Sequence, residues 1–123
     1  MILGTGIDIV SIARFQKAME RPGFIQRLFT PQEIEYCEAR ANKAQSYAVR
    51  FAAKEAAMKA LGTGWAEGLA WKDISVQNDA NGMPVLILDG AALEMAKMMG
   101  ANAWHVSMSH ERENGIAMVL LEA

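Results

Sequence analysis

Hydrophobic residues along this chain switch between two periods, and the switches mark its elements. Residues 2–10, Ile-Leu-Gly-Thr-Gly-Ile-Asp-Ile-Val, keep the two-residue period of a strand. Leu3, Thr5, Ile7 and Ile9 share one phase, while Gly4, Gly6 and Asp8 share the other. Asp8 therefore projects from a face whose neighbours have no side chains. Ser11 is suited to cap a basic amphipathic helix running to about Glu20, and Arg21-Pro22-Gly23 breaks it. Thr30-Pro31-Gln32-Glu33 supplies a cap, a proline at the first position and a glutamate at the third, which predicts a helix to about Ala41. An alanine-rich helix is predicted from about Gln45 to Leu61, closed by Gly62-Thr63-Gly64.

The second half reads as two strand pairs with a helix between them. Residues 73–78 and 84–88 are joined by a turn at Asn81-Gly82. Gly90 to Met99 forms a short helix ended by Gly100, and residues 103–110 and 115–122 flank the polar turn Glu111-Arg112-Glu113-Asn114. Paired strands with intervening helices predict an α+β domain on a mainly antiparallel sheet. With 123 residues and neither repeat nor linker, residues 1–123 form one domain.

Charge narrows the partners. A net charge of −2 argues against nucleic acid, whose partners usually carry a strong basic excess. Locally the balance reverses: Arg14, Lys17, Arg21 and Arg27 are opposed only by Glu20 between residues 12 and 29. Such a face suits an acidic protein. The only cysteine, Cys37, has no partner for an internal disulfide, and the apolar start lacks a basic leader. No run is long enough to cross a bilayer, so the expected setting is the reducing cytoplasm, with no membrane partner.

On a helical wheel of residues 45–61, Tyr47, Phe51, Met58 and Leu61 form a bulky apolar stripe. Glu55 and Lys59 lie beside it on a shoulder of Ala48, Ala52 and Ala56. An exposed Glu–Lys pair at this spacing contributes only a few tenths of a kcal/mol and needs no function. Alanines on both sides imply close packing around the pair, which brings a fixed charged site level with that reading. Lys54 falls inside the bulky stripe and must either snorkel to solvent, the commoner outcome, or meet an anion. Asp8, read alone, is a strand-end acid that caps the next helix. Taken with Glu55 it makes a sparse oxygen site that suits Mg²⁺, which keeps water and phosphate oxygens as its other ligands. His105 and His110 lack zinc spacing with Cys37, and no GxSxG marks Ser107 or Ser109 as a nucleophile. Gly62-Thr63-Gly64 is first a helix stop and second a turn whose N–H groups could approach a phosphate.

Together these segments resemble the holo-[acyl-carrier-protein] synthase family, the short bacterial type of 4′-phosphopantetheinyl transferase. The likeness covers nearly the whole chain in order. It runs through Gly6-Ile7-Asp8-Ile9-Val10, Arg14-Phe15, Phe29-Thr30-Pro31-Gln32-Glu33 and Arg50-Phe51-Ala52-Ala53-Lys54-Glu55-Ala56. It continues through Lys59-Ala60-Leu61-Gly62-Thr63-Gly64, Asn81-Gly82-Met83-Pro84 and Val106-Ser107-Met108-Ser109-His110. The resemblance implies the α+β fold of that family, assembled as a homotrimer with active sites shared between subunits. It also implies a reaction in fatty acid biosynthesis: phosphopantetheine moves from coenzyme A to a serine of apo acyl carrier protein, releasing adenosine 3′,5′-bisphosphate.

By the same resemblance Asp8 and Glu55 are the magnesium ligands, and Lys59 joins them as a catalytic residue contacting the pyrophosphate. Arg50, Asn81, Gly82, Pro84 and His110 match coenzyme A contacts, with Gly62 and Gly64 beside the phosphates. Arg14 and Arg21, with Phe24 and Arg27, match the surface that grips the carrier. The serine proton passes either to Glu55 or through a metal-bound water. The chain departs from the family at Met83, often lysine there, and at Pro22-Gly23, where some relatives are more basic. Two other readings fit the residues alone: a non-catalytic carrier-binding module using the basic helix, and another Mg-dependent enzyme of nucleotide pyrophosphates.

Overall fold

In the computed structural model, which describes residues 1–62 and 68–123, the chain folds as two antiparallel sheets packed on one long helix. Strand β1 (Ile2–Ser11) leads into α1 (Ile12–Ala18), α2 (Phe24–Leu28), α3 (Pro31–Glu38) and α4 (Lys43–Ala60). A short 3₁₀ turn (Trp71–Asp73) precedes β2 (Ile74–Asn78) and β3 (Pro84–Leu88). Then follow α5 (Gly90–Met98), β4 (Ala103–His110) and β5 (Asn114–Glu122). The larger sheet has the order β1-β5-β4, and β2 pairs with β3 in the smaller one. The α+β expectation holds.

Helix ends agree with their caps more closely than with the predicted limits. Ser11 Oγ accepts from Arg14 N–H, and Thr30 with Glu33 closes a reciprocal capping box. The basic helix stops at Ala18 rather than Glu20, and a separate turn of helix, α2, forms where the sequence suggested only a break. Helix α3 ends at Glu38 rather than Ala41. Helix α4 starts two residues before Gln45, because Asn42 Oδ1 accepts from Gln45 N–H and caps it.

The small-residue pattern explains the centre. Gly4 and Gly6 of β1 lie against α4 so closely that a Cβ at Gly6 would sit 1.9 Å from the Ala56 carbonyl oxygen, and one at Gly4 2.2 Å from that of Ala60. Glycine on the strand and alanine on the helix bring the two backbones together. Ala52, Ala56 and Ala60 then meet Ala117, Val119 and Leu121 of β5 in the main core. A second core, built on Phe15, Phe29, Tyr47 and Cys37, joins α1, α2 and α3 to the start of α4.

Lys54 takes the less common of its two expected courses and meets an anion. It does not snorkel: its side chain and that of Glu33 are both fully buried and 2.8 Å apart. Lys54 Nζ also donates to the carbonyls of Trp71 and Ile74, while Glu33 accepts from Thr30 N–H (3.1 Å) and Val76 N–H (3.0 Å). Burial lowers the Lys54 pKa from its ordinary value, and the Glu33 carboxylate works against that shift. Every charge on this pair is bonded, which is the condition for tolerating it in the interior.

Candidate active site

The spacing along α4 sends its charged residues to different places. Glu55 and Lys59 lie about 40° apart around the helix, whereas Arg50 and Glu55 lie about 140° apart. Glu55 therefore faces one cavity and Arg50 another.

The first is an open groove of about 1080 Å³ between the end of β1, helices α1 and α2, and α4. Asp8 and Glu55 share its wall with Arg14, Lys17, Arg21 and Phe24. Strand alternation puts Asp8 in the glycine phase, facing α4, where its carboxylate meets Lys59 Nζ at 3.0 Å. Lys59 also donates to the Ile7 carbonyl at 2.9 Å. The lysine thus pairs across to the strand, not with Glu55 along its own helix. Glu55 is half-buried, and its pKa is raised, first by desolvation and then by the Asp8 carboxylate, with Lys59 acting in the opposite direction. A carboxylate whose charge is disfavoured by a neighbouring carboxylate gains from a cation between them.

No group of three or more His, Cys, Asp or Glu side chains able to hold a metal occurs among the described residues. A pair of carboxylates suits Mg²⁺, which retains water and takes phosphate oxygens, and does not suit a closed zinc or calcium cage. The donor set therefore fits the expected ion.

The second cavity, about 470 Å³, contains Arg50, Gly82, Pro84 and His110. Arg50 is buried, and its Nη2 donates to Asn78 Oδ1 at 2.9 Å. Asn78 Nδ2 in turn holds the Gly82 carbonyl at 3.0 Å, so one asparagine fixes both the guanidinium and the turn. Gly82 takes φ +80°, a conformation natural to glycine, and Asn81 N–H donates to Asp79 Oδ1 within the same turn. Sequence reasoning missed Asn78 and Tyr36 here, because neither belongs to a recognisable motif.

Arg27 lies elsewhere, in a third and largely apolar groove with Arg21, Phe24, Phe51 and Trp71. Phe51 bridges the grooves, stacking on Phe15 and on Trp71 with ring centroids 5.2 Å apart in each case. Gly62 ends α4 at φ +72°, as its role as a helix stop requires. Gly64 lies outside the described residues. Of the predicted residues, then, Asp8, Glu55, Lys59, Arg14, Arg21 and Phe24 come together, while Arg50, Gly82, Pro84 and His110 form a separate group.

Comparisons with known proteins identify the family. A sequence profile of the 4′-phosphopantetheinyl transferase superfamily matches residues 4–119. A holo-[acyl-carrier-protein] synthase of Solibacter usitatus is 48% identical over 124 residues, covering 99% of each chain. The crystal structure of the Neisseria meningitidis holo-[acyl-carrier-protein] synthase superposes with a TM-score of 0.88 at 34% identity, covering 100% of both chains. That of the Bacillus anthracis synthase, in complex with CoA (3′,5′-ADP), gives 0.83 at 35% identity, over 100% of this chain and 98% of that one. Full-length similarity of this degree, with Asp8 and Glu55 brought to one groove from distant segments, means that the chain belongs to the holo-[acyl-carrier-protein] synthase family of the 4′-phosphopantetheinyl transferase superfamily.

Proposed function

We propose that this protein transfers 4′-phosphopantetheine from coenzyme A to a serine hydroxyl of an apo acyl carrier protein, at a site built on Asp8, Glu55 and Lys59 and served by Mg²⁺. The observation that carries this reading is the first groove. It sets the two carboxylates beside the basic helix α1, so a reaction centre and a docking surface for an acidic protein are continuous.

Asp8 and Glu55 would hold the ion, which when bound neutralises charge on the pyrophosphate oxygens. The serine oxygen forms a bond to the β-phosphorus, and the bond from that phosphorus to the bridging oxygen breaks. The electron pair leaves on the oxygen that stays with adenosine 3′,5′-bisphosphate. Lys59 already donates to Asp8 and to the Ile7 carbonyl and has one further N–H for a phosphate oxygen. Glu55, on the wall of this groove, is the chain's own carboxylate for taking the serine proton. Arg14 and Arg21 would steer the carrier's acidic surface to the same groove.

Two observations support a homotrimer with shared sites. On the sheet face away from α4, Ile7, Ile9 and Met118 are 58%, 62% and 44% exposed. They lie on adjacent strands in register, Ile7 opposite Met118 and Ile9 opposite Ile116. An apolar face of this kind marks a contact between subunits. Moreover, the resemblance assigns one ligand to two groups of residues that occupy separate cavities on this chain. A neighbouring subunit would bring the Arg50 group to the Glu55 groove.

Intact-mass measurement of an apo carrier incubated with coenzyme A, Mg²⁺ and the protein tests the reaction. One added phosphopantetheine per carrier is expected, and a bisphosphate product without mass gain would exclude transfer. Mixing inactive Glu55→Gln and Arg50→Ala subunits tests sharing: random assembly should restore about a quarter of the sites. Sites confined to one subunit would restore none.

A further inference from the structure

The outer face of the larger sheet carries an ion pair that the transfer reaction does not use. In the outward phase of β1, β5 and β4, Thr5, Leu120 and His105 form one row, and Ile7, Met118 and Ser107 the next. From Leu3 onward that phase holds only two ionisable residues, His105 and Glu122. They meet diagonally across β4 and β5, with His105 Nε2 2.7 Å from Glu122 Oε1.

In a lone subunit this pair contributes little. The two side chains are 58% and 41% exposed, and water screens a pair of that kind. The other charges nearby are turned away or already engaged. Helix α4, with Glu55 and Lys59, packs on the inward face. Trp104, also inward, donates its indole N–H to the Leu86 carbonyl of β3 at 3.1 Å, and His110 in the same phase lines the second cavity. On α5, Lys97 lies 3.8 Å from Glu94. At the end of the sheet the Met1 ammonium donates to the Ala123 oxygen at 2.6 Å. Glu122 and His105 therefore depend on each other.

We propose that His105 and Glu122 make the association of this face with further copies of the chain proton-sensitive, assembly being tighter when His105 carries its proton. This rests on the reading of the face as a subunit contact. Beside Ile7, Met118 and Leu120, a covering copy would take the pair out of water, where a carboxylate needs its cation. Imidazole gains and loses that charge between about pH 5 and 8. Protonation makes the contact a charge-assisted bond, so the assembled state binds protons and weakens as the pH rises. Every copy in the assembly brings one such pair, and their effects multiply.

Sedimentation equilibrium of the intact protein at about pH 6 and about pH 8.5, on either side of the imidazole range, tests this. The chain concentration at half-assembly should rise about tenfold between them, the scale that separates a charge-assisted from a neutral hydrogen bond. Exchange of subunits between two fluorescently labelled pools gives a second reading for a very tight assembly, and should be faster at the higher pH by a similar factor. His105→Gln and Glu122→Gln, exposed positions at which circular dichroism should show an unchanged fold, should each remove the dependence. His105→Gln leaves the Met1 ammonium in place, so a dependence that survives this substitution belongs to another group and overturns the proposal. An assembly whose concentration and exchange rate ignore pH refutes the role of the pair while the trimer reading stands. A single chain at both pH values overturns both.

Discussion

Lys54 and Glu55 are neighbours on one helix, yet their charges have opposite fates. Lys54 is fully buried, bonded to Glu33 and to two backbone carbonyls, and its pair ties α3, α4 and the start of β2 to one point. Glu55 is half-buried in an open groove, faces Asp8, and has its pKa raised. Satisfied charge in the interior specifies the fold. Under-satisfied charge at a solvent-accessible wall is available for a ligand. A step of one residue, 100° around the helix, separates the two.

The sharpest way to break this contrast is Glu55→Gln. Transfer should fall by about 10⁴-fold, or ~5 kcal/mol in the barrier, measured by carrier mass gain. Stability should move the other way. Because its folded pKa is raised, Glu55 contributes stability that is present below the carboxyl's unfolded value and is lost as the pH rises through the raised one. Removing that charge should therefore leave the melting temperature of the metal-free protein at pH 7 unchanged or slightly higher. A lower melting temperature would mean that Glu55 is structural after all.

Lys54→Met should do the reverse. It leaves the Glu33 carboxylate buried without its cation, a loss of about 3–5 kcal/mol readable by denaturant titration. The turnover of the molecules that remain folded should stay within a few-fold of normal. A collapse of turnover at full stability would erase the distinction.

Gly6→Ala probes the close approach between β1 and α4 that brings Asp8 to Lys59. The new methyl group would meet the Ala56 carbonyl, which must shift. A stability loss of about 2–3 kcal/mol is expected, together with a higher Mg²⁺ concentration for half-maximal activity. The smallest effect should come from Arg14→Glu on the exposed docking face. The carrier's KM should rise about tenfold at low salt, and its salt dependence should weaken. If neither changes, docking lies elsewhere.

Much of this was legible in the sequence. The two-residue period placed Asp8 beside Gly4 and Gly6, and Thr30 to Glu33 announced a capping box that the structure contains. Other features were not. Glu33 reads as a cap, and nothing in a capping box reveals that the same carboxylate also receives Lys54 from 21 positions away. For the same reason the sequence left Lys54 between solvent and an anion and favoured solvent. The Glu55–Lys59 spacing suggested a local pair, but Lys59 finds Asp8 instead, because Gly4 and Gly6 let β1 pack directly on α4. Tyr36 carries no motif; only the return of α4 past α3 stacks Arg50 on its ring.

The sequence by itself determined most of the elements, the caps at Ser11 and Thr30, the family and the residue types able to bind an ion and a phosphate. These follow from local period, backbone preference and order along the chain. The tertiary structure alone decided which charges are paired and which are left open. It also decided that the expected ligand residues divide between two cavities. Pairing and division depend on contacts between distant segments and on access to water, which no local pattern encodes.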